Sequence, residues 1–101
     1  MAKKMRESRS RIHRLTPRFV ETVKVKGMYP DGGGLYLQVG EGGGAKSWLF
    51  RYNVEGRDRQ MGLGPLHTIG LAEARERARK RREQRLDGID PIEARKADRL
   101  T

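Results

Sequence analysis

Alternation of apolar and polar residues in the middle of the chain constrains the fold more than any other sequence feature. Leu35–Val39 has an apolar residue at every second position, and residues 46–53 have an aromatic residue at every second position from Trp48 onward. A period of two is the signature of a β-strand with one buried face. A weaker stretch, residues 57–64, follows a tight turn at Gly56. Three consecutive strands on short connections predict an antiparallel meander.

The same alternation divides the predicted sheet into two faces. One face is predicted to form the core, and it carries Leu35, Leu37, Val39, Trp48, Phe50, Tyr52, Met61 and Leu63. An antiparallel sheet commonly leaves its other face in contact with solvent. That second face is predicted to carry hydrogen-bonding side chains around one leucine: Tyr36, Gln38, Ser47, Leu49, Arg51, Asn53 and Gln60.

Helical signals flank the predicted strands. Thr16 and Pro17 fit the N-cap and first position of a short helix that ends by Gly27. Residues 71–88 predict a long helix, with Gly70 as N-cap and Gly88 as its stop. Its apolar stripe is Leu71, Ala74, Ala78 and Leu86, and its predicted solvent face carries Arg75, Arg79, Lys80 and Arg82. The predicted fold class is therefore α+β, a three-stranded antiparallel sheet packed against one long helix, with a short N-terminal helix.

Three consecutive glycines, Gly32 to Gly34, precede the first predicted strand. A phosphate-binding loop needs its glycines to lead into a helix N-terminus, and a P-loop also needs a Lys followed by Ser or Thr. Here Gly34 leads directly into Leu35–Val39, and no such pair follows. The run is therefore predicted to be a turn, with the Asp31 side chain capping it.

Positive charge is concentrated outside the predicted sheet. The 101-residue chain has a formal net charge of +10; residues 1–26 contribute +7, residues 27–70 contribute zero and residues 71–88 contribute +3. Such a distribution attracts polyanions and indicates a nucleic-acid partner. The absence of Cys excludes a disulfide framework and suits a reducing cytoplasm, and no apolar run predicts a signal peptide or membrane span.

No pattern in the sequence predicts catalysis. His13 and His67 have no carboxylate cluster at metal-ligand spacing, and no His stands near the serines to act as a base. We therefore predict no catalytic residue, no metal and no cofactor.

Five segments, taken together, resemble one protein family. They are "DGGGLYLQV" (31–39), "KSWLFRY" (46–52), "GRDRQMGLG" (56–64), "LAEAR" (71–75) and "GIDP" (88–91), in the family's order and spacing. The chain resembles the N-terminal arm-type DNA-binding domain of tyrosine-recombinase integrases from phages and genomic islands. Leu49 departs from the pattern, because a polar or basic residue is common there; it makes an apolar contact with the target or none.

The resemblance implies sequence-specific binding of double-stranded DNA at integrase arm-type sites, in support of DNA integration by a parent tyrosine recombinase. It implies that the sheet's open face enters the major groove, and that catalysis belongs to a separate downstream region. The base-contacting candidates are Tyr36, Gln38, Arg51, Asn53 and Gln60, and the phosphate-contacting candidates are Lys46, Arg57 and Arg59.

The residue pattern and the resemblance together set the expected domain organisation and partners. Residues 1–14 are predicted to be a disordered basic arm, residues 15–88 the DNA-binding domain, and residues 89–101 the start of a helix leading to a downstream domain, with Asp90 as N-cap. Other integrase protomers and accessory DNA-bending or excisionase proteins join the candidate partners. The expected location is the bacterial cytoplasm, in association with the nucleoid.

Two other functions are compatible with a small basic domain. An RNA-binding or ribosome-associated module would need exposed aromatic side chains on the sheet for base stacking, and Tyr36 is the one candidate on the predicted open face. A protein-interaction module would use the long helix, whose highly charged surface disfavours that role.

Overall fold

The computed structural model describes residues 12–100; the predicted disorder of the basic arm falls mainly on residues outside that range. Within it, the elements in chain order are α1 (Pro17–Thr22), β1 (Gly27–Gly32), β2 (Leu35–Val39), a 3-10 turn (Glu41–Gly43), β3 (Lys46–Val54), β4 (Arg57–Pro65), α2 (Leu71–Leu86) and α3 (Pro91–Leu100). The α+β class is confirmed. The sheet is a meander in which each strand pairs with the next, in the order β1-β2-β3-β4.

The prediction of three strands and one long helix was wrong, because the sheet has four strands and α3 is a second long helix. The missed strand, β1, contains two glycines and Pro30 and has no alternating apolar pattern. Among the strands of residues 12–100 it pairs only with β2, and a proline is tolerated on such an edge strand because its missing N–H is not needed by a second neighbour.

The short N-terminal helix forms as predicted. The Thr16 hydroxyl accepts a hydrogen bond from the Phe19 N–H at 3.1 Å, and Pro17 is the first helical residue. The helix ends at Thr22, earlier than Gly27, because Val23 is already extended. Val20 is the residue of this helix that enters the core.

The core lies between one face of the sheet and the helices. Its buried members come from α1, from β2, β3 and β4, from the segment before α2 and from α2 itself: Val20, Leu35, Leu37, Val39, Trp48, Phe50, Met61, Leu63, Ile69, Leu71, Ala74 and Ala78. The indole N–H of Trp48 donates to the Ile69 carbonyl at 2.6 Å, which satisfies the one polar group of that buried side chain. The two alanines let the α2 backbone lie close to the sheet.

The predicted apolar stripe of α2 was wrong at its end. Leu71, Ala74 and Ala78 are buried, but Leu86 is 86% exposed. Arg82 takes an inward position instead, where its guanidinium donates to the Gly33 carbonyl at 3.1 Å. In the last turn of α2, Arg85 and not Leu86 lies against the sheet: its guanidinium is 5.7 Å from the centroid of the Tyr52 ring.

The glycine run is a turn, as predicted, but Asp31 has a different role from the predicted cap. Gly33 and Gly34 form the β1–β2 turn with φ of +64° and +89°. Asp31 is 1% exposed; its carboxylate accepts the Leu15 N–H at 2.8 Å and pairs with Arg75 at 2.9 and 3.0 Å. Arg75 therefore does not belong to the solvent face of α2.

Candidate nucleic-acid interface

The face of the sheet opposite the core carries the side chains that the alternation predicted. Strand pairing arranges them in rows that cross the sheet. Gln38 pairs with Ser47, Arg51 pairs with Gln60, and Asn53 pairs with Asp58. A row of low polarity, Pro30–Tyr36–Leu49–Gly62, runs between the first two. We call this surface the open face, and define it by Met28, Pro30, Tyr36, Gln38, Ser47, Leu49, Arg51, Asn53, Asp58, Gln60 and Gly62.

Arg51 is supported by an aromatic neighbour on the open face. Its guanidinium lies 5.3 Å from the centroid of the Tyr36 ring, one strand away. A cation over an aromatic face is held by the ring quadrupole, and the planar fork of N–H donors keeps its edge free for a bidentate acceptor. Arg51 is exposed, and its cross-strand partner Gln60 is exposed too.

Asn53 is on the open face, but its side chain already stabilises the β3–β4 turn. Its Oδ1 accepts the Gly56 N–H at 3.0 Å, and its Nδ2 donates to Asp58 at 3.1 Å. Glu55 and Gly56 both have positive φ, as a two-residue hairpin turn of the mirror-image type requires. The contact of Asn53 with a base stays a prediction, and its amide would have to exchange these bonds.

Lys46 lies on the covered side of the sheet, not on the open face. It pairs with the buried Val39, and its ammonium donates to the Val20 and Glu21 carbonyls at 3.0 Å each. These carbonyls lie in the last turn of α1, where a cation is favourable because the helix dipole is negative there. The phosphate contact predicted for Lys46 stays a prediction. To make it, the ammonium would have to leave these two carbonyl partners.

Arg59 joins an ionic cluster at the start of α3. Its guanidinium lies 2.7 Å from an Asp90 carboxylate oxygen and 2.9 Å from one of Glu93, and the Tyr52 hydroxyl donates to Asp90. The Asp90 carboxylate also accepts the Ile92 N–H at 3.0 Å, so its predicted N-cap role is confirmed. We call Tyr52, Arg59, Asp90 and Glu93 the α3 anchor.

The α3 anchor shifts the ionisation of its members. Burial, and then the hydrogen bond to Asp90, raise the pKa of Tyr52 to about 12. Burial alone would raise the pKa of Asp90, but hydrogen bonds from Tyr52, Arg59 and the Ile92 N–H together hold that pKa below its ordinary value. The hydrogen bond to Glu93, and then that to Asp90, raise the pKa of Arg59. At neutral pH the anchor therefore holds the Asp90 carboxylate against the Arg59 guanidinium and the neutral Tyr52 phenol.

The eight predicted site residues thus divide between the two faces of the sheet, because successive residues of a strand face opposite sides. Tyr36, Gln38, Arg51, Asn53 and Gln60 share the open face, while Lys46, Arg57 and Arg59 have the opposite parity. Arg57 stands at the exposed end of the β3–β4 hairpin. The period-two rule itself contained this division, because Lys46 alternates in phase with Trp48, and Arg59 with Met61.

Both open-face residues of β1 were missed by the sequence reasoning. Met28 pairs with Gln38, and Pro30 pairs with Tyr36, so both extend the face by one strand. Both are half-buried. They were missed because β1 has no alternating apolar pattern, so no strand was predicted there.

Comparison with known proteins adds the decisive observation. Residues 15–98 match the family described as the Arm DNA-binding domain. The chain belongs to the Arm DNA-binding domain family.

Several phage and prophage integrases are similar to this arm DNA-binding domain. The integrase of Shigella phage Sf6 and the prophage integrase IntS of Escherichia coli (strain K12) are each 40% identical to it over 67 residues, which are 66% of this chain and 17% of each relative. The integrase of Enterobacteria phage P4 is 35% identical over 83 residues, which are 77% of this chain and 19% of that relative. The chain therefore spans less than a fifth of the length of these relatives.

The basic surface of the arm DNA-binding domain differs from the sequence prediction along α2. Arg75 and Arg82 bond to groups beneath the helix, and Arg79 bonds to Glu76 at 2.8 Å and to Glu83 at 2.6 Å. The hydrogen bond from Arg79 lowers the pKa of Glu76. Exposed pairs of this kind contribute little to stability, but they reduce the field that α2 projects. α2 also packs against the covered side of the sheet.

Other kinds of site find no support among residues 12–100. No group of three or more His, Cys, Asp or Glu side chains is arranged to hold a metal ion. In the same part of the chain, no helix combines the length and apolar character needed to cross a membrane.

Proposed function

We propose that this arm DNA-binding domain binds double-stranded DNA sequence-specifically, at arm-type sites of its parent integrase. The carrying observation is the open face, where Gln38, Arg51 and Gln60 project from three adjacent strands of a domain whose family is DNA-binding. The bound sites would support site-specific integration by the parent protein, which we propose to be a tyrosine recombinase with its catalytic residues outside this chain.

The dimensions of the open face suit the major groove. Adjacent strands lie about 4.8 Å apart, so the three strands that carry Gln38, Arg51 and Gln60 span about 10 Å, within a groove width of about 12 Å. Strands can enter this groove, where Arg pairs with guanine, and Gln or Asn with adenine, by two hydrogen bonds each. We therefore assign base contacts to Arg51, Gln38 and Gln60, with Tyr36 supporting Arg51 and Asn53 at the edge.

Phosphate contacts would come from the rim of the open face and from the N-terminal basic segment. Arg57 is exposed at the end of the β3–β4 hairpin, which places it beside the open face. Lys46 and Arg59 would first have to leave their carbonyl and carboxylate partners, so we assign them a smaller share. Residues 1–26 carry most of the excess charge of the chain, and such contacts raise affinity without selecting a sequence.

The RNA-binding alternative has weaker support. Recognition of single-stranded RNA on a sheet relies on exposed aromatic rings. Trp48 and Phe50 are buried in the core, and Tyr36 is the aromatic residue on the open face as defined above.

As part of the proposal, other integrase protomers and accessory DNA-bending or excisionase proteins are candidate partners on the same DNA, in a nucleoid-associated assembly in the bacterial cytoplasm.

A selection experiment tests the proposal and identifies the bound sequence at the same time. The 101-residue chain is incubated with a duplex pool containing about 20 random base pairs, and bound DNA is amplified and sequenced over successive rounds. We expect one motif to be enriched, and single-stranded RNA of equal length to compete poorly. Enrichment of no motif, or efficient competition by the RNA, would contradict the proposal.

Two variants with the same loss of charge locate the interface. Arg51→Ala removes a cation from the open face, and Arg79→Ala removes one from the exposed side of α2. Loss of a bidentate base contact is worth about 1–3 kcal/mol, so we expect Arg51→Ala to weaken binding of the selected duplex by roughly 5- to 150-fold. Arg79→Ala should change affinity by less than about 3-fold. Equal losses of affinity in both variants would mean that binding depends on overall charge and not on the sheet.

A further inference from the structure

A band of low polarity crosses the middle of the open face. Pro30, Tyr36, Leu49 and Gly62 are successive cross-strand neighbours from β1 to β4. Leu49 is half-buried at the centre of this band, on a surface whose other rows consist mainly of polar side chains. The half-buried Leu49 side chain keeps part of its apolar surface in contact with solvent, and covering that surface with an apolar group of a partner is favourable.

The polar rows on either side limit what that partner is. The row of Gln38 and Ser47 lies on one side of the band, and the row of Arg51 and Gln60 lies on the other. A partner in contact with all three rows must offer an apolar group between hydrogen-bonding groups. The edge of a DNA duplex in the major groove does so at thymine, whose C5-methyl group is the apolar feature that distinguishes it there.

We propose that Leu49 recognises a thymine methyl group, so that the bound site contains a thymine at the position opposite the centre of the open face. This inference rests on the proposed function, and it adds a base preference to it. Tyr36 borders the methyl site on the β2 side, and its ring also supports Arg51. Arg51 and Gln60 then contact the base pairs on one side of the thymine, and Gln38 those on the other.

Gly62 completes the site by leaving room for the base pair. It is the β4 neighbour of Leu49, and a Cβ atom built on it meets no other atom within 4 Å. Its φ lies outside the left-handed region, so a larger residue is tolerated by the domain itself. A side chain at this position would stand beside Leu49 on the open face, in the space through which the duplex must approach.

The methyl group can be removed without changing base pairing or the protein. In the duplex obtained by selection, each thymine is replaced singly by deoxyuridine, and the dissociation constant of the unaltered chain is measured. We expect one or two positions to weaken binding by about 3- to 10-fold, as loss of one buried methyl group predicts, and the others to have no effect. A selected duplex whose binding is unaffected by deoxyuridine at every position would overturn the inference and leave the proposed function intact. Failure to select any motif would overturn the proposed function itself.

Protein variants assign the effect to Leu49. In Leu49→Ala the difference between thymine and deoxyuridine should disappear at the sensitive position. The matched control Leu86→Ala truncates a leucine that is 86% exposed at the end of α2, and it should keep the full difference. Gly62→Val should weaken binding of the thymine duplex by at least about 10-fold, with an unchanged circular dichroism spectrum. An unaltered thymine preference in Leu49→Ala would contradict the assignment.

Discussion

The β1–β2 turn works because one residue lacks a side chain. A Cβ atom on Gly34 would lie 2.6 Å from Cε1 of Phe50 and 2.8 Å from the carbonyl oxygen of Arg51. The Gly34 carbonyl also accepts the Arg51 N–H at 2.8 Å, so the turn is pressed directly against β3. The glycine run therefore positions the backbone of a proposed base-contacting residue, and nothing in this arrangement resembles a phosphate loop.

Two glycine variants separate backbone strain from crowding. Gly34 and Gly42 both have positive φ, at +89° and +66°, but a Cβ on Gly42 meets nothing within 4 Å. Both alanine substitutions carry a cost of roughly 1–2 kcal/mol for the left-handed backbone, and only Gly34→Ala adds an overpacking cost of about 1–3 kcal/mol. Urea unfolding should show the larger loss of stability for Gly34→Ala by at least about 1 kcal/mol. Equal losses of stability in the two variants would mean that β3 moves away from the added methyl group at no cost in free energy.

The burial of Asp31 and its pairing with Arg75 could not be predicted from the neighbouring residues in the sequence. The strand register shifts between Pro30 and Gly32, so Asp31 is an extra residue in β1. A bulge of this kind changes the direction of a side chain, and here the carboxylate lies against Arg75, 44 positions further along the chain. Alternation cannot predict a bulge, and no local pattern identifies a charge partner at that separation.

At the scale of elements, the alternating strands and capped helices were predictable because their signals are local. The period of two placed Trp48 and Phe50 in the core, and Thr16 and Pro17 fixed the start of α1. β1 was missed because its pairing with β2 comes from the turn and not from an apolar pattern. The open-face half of the candidate site followed from the same alternation. Lys46 and Arg59 were assigned from the family resemblance, which does not indicate which partner a cation has in this fold.

The α3 anchor fixes the first turn of α3 to the covered side of β3 and β4. Its pKa shifts give it a defined pH dependence. The pKa of Asp90 is lowered in the folded state, so its contribution to stability is present above the unfolded value near 3.8 and is lost as the pH falls below it. The pKa of Tyr52 is raised from 10.0 to about 12, so its contribution is complete below pH 10 and is lost as the pH rises toward 12.

Substitution of Asp90 tests this dependence. Asp90→Asn keeps the size of the side chain but removes the charge that faces Arg59. We expect the variant to be less stable than the unaltered chain at pH 7, and the difference to shrink between pH 4 and pH 2, where Asp90 itself becomes protonated. Urea unfolding at several pH values measures both. A difference that is constant down to pH 2 would show that the carboxylate charge has no part in the anchor.

The whole molecule has two sides with separate roles. Helices α2 and α3 cover one side of the sheet and use many of their cations within the fold, while the other side presents Gln38, Arg51 and Gln60 around Leu49. Arg59 and Gln60 are consecutive in β4, so the strand that carries a proposed base contact also holds α3. We propose that sequence-specific binding belongs to the open face and that the remaining charge contributes general attraction.

The most direct test of that claim is a titration of the ¹⁵N-labelled chain, followed by backbone and side-chain NMR shifts. The duplex obtained by selection and a scrambled duplex of equal length and composition are added in parallel at ~150 mM salt, where distant charges are screened beyond about 8 Å. We expect the selected duplex alone to shift Tyr36, Gln38, Leu49, Arg51 and Gln60. Equal shifts with both duplexes, confined to residues 12–14 and the exposed side of α2, would contradict the claim.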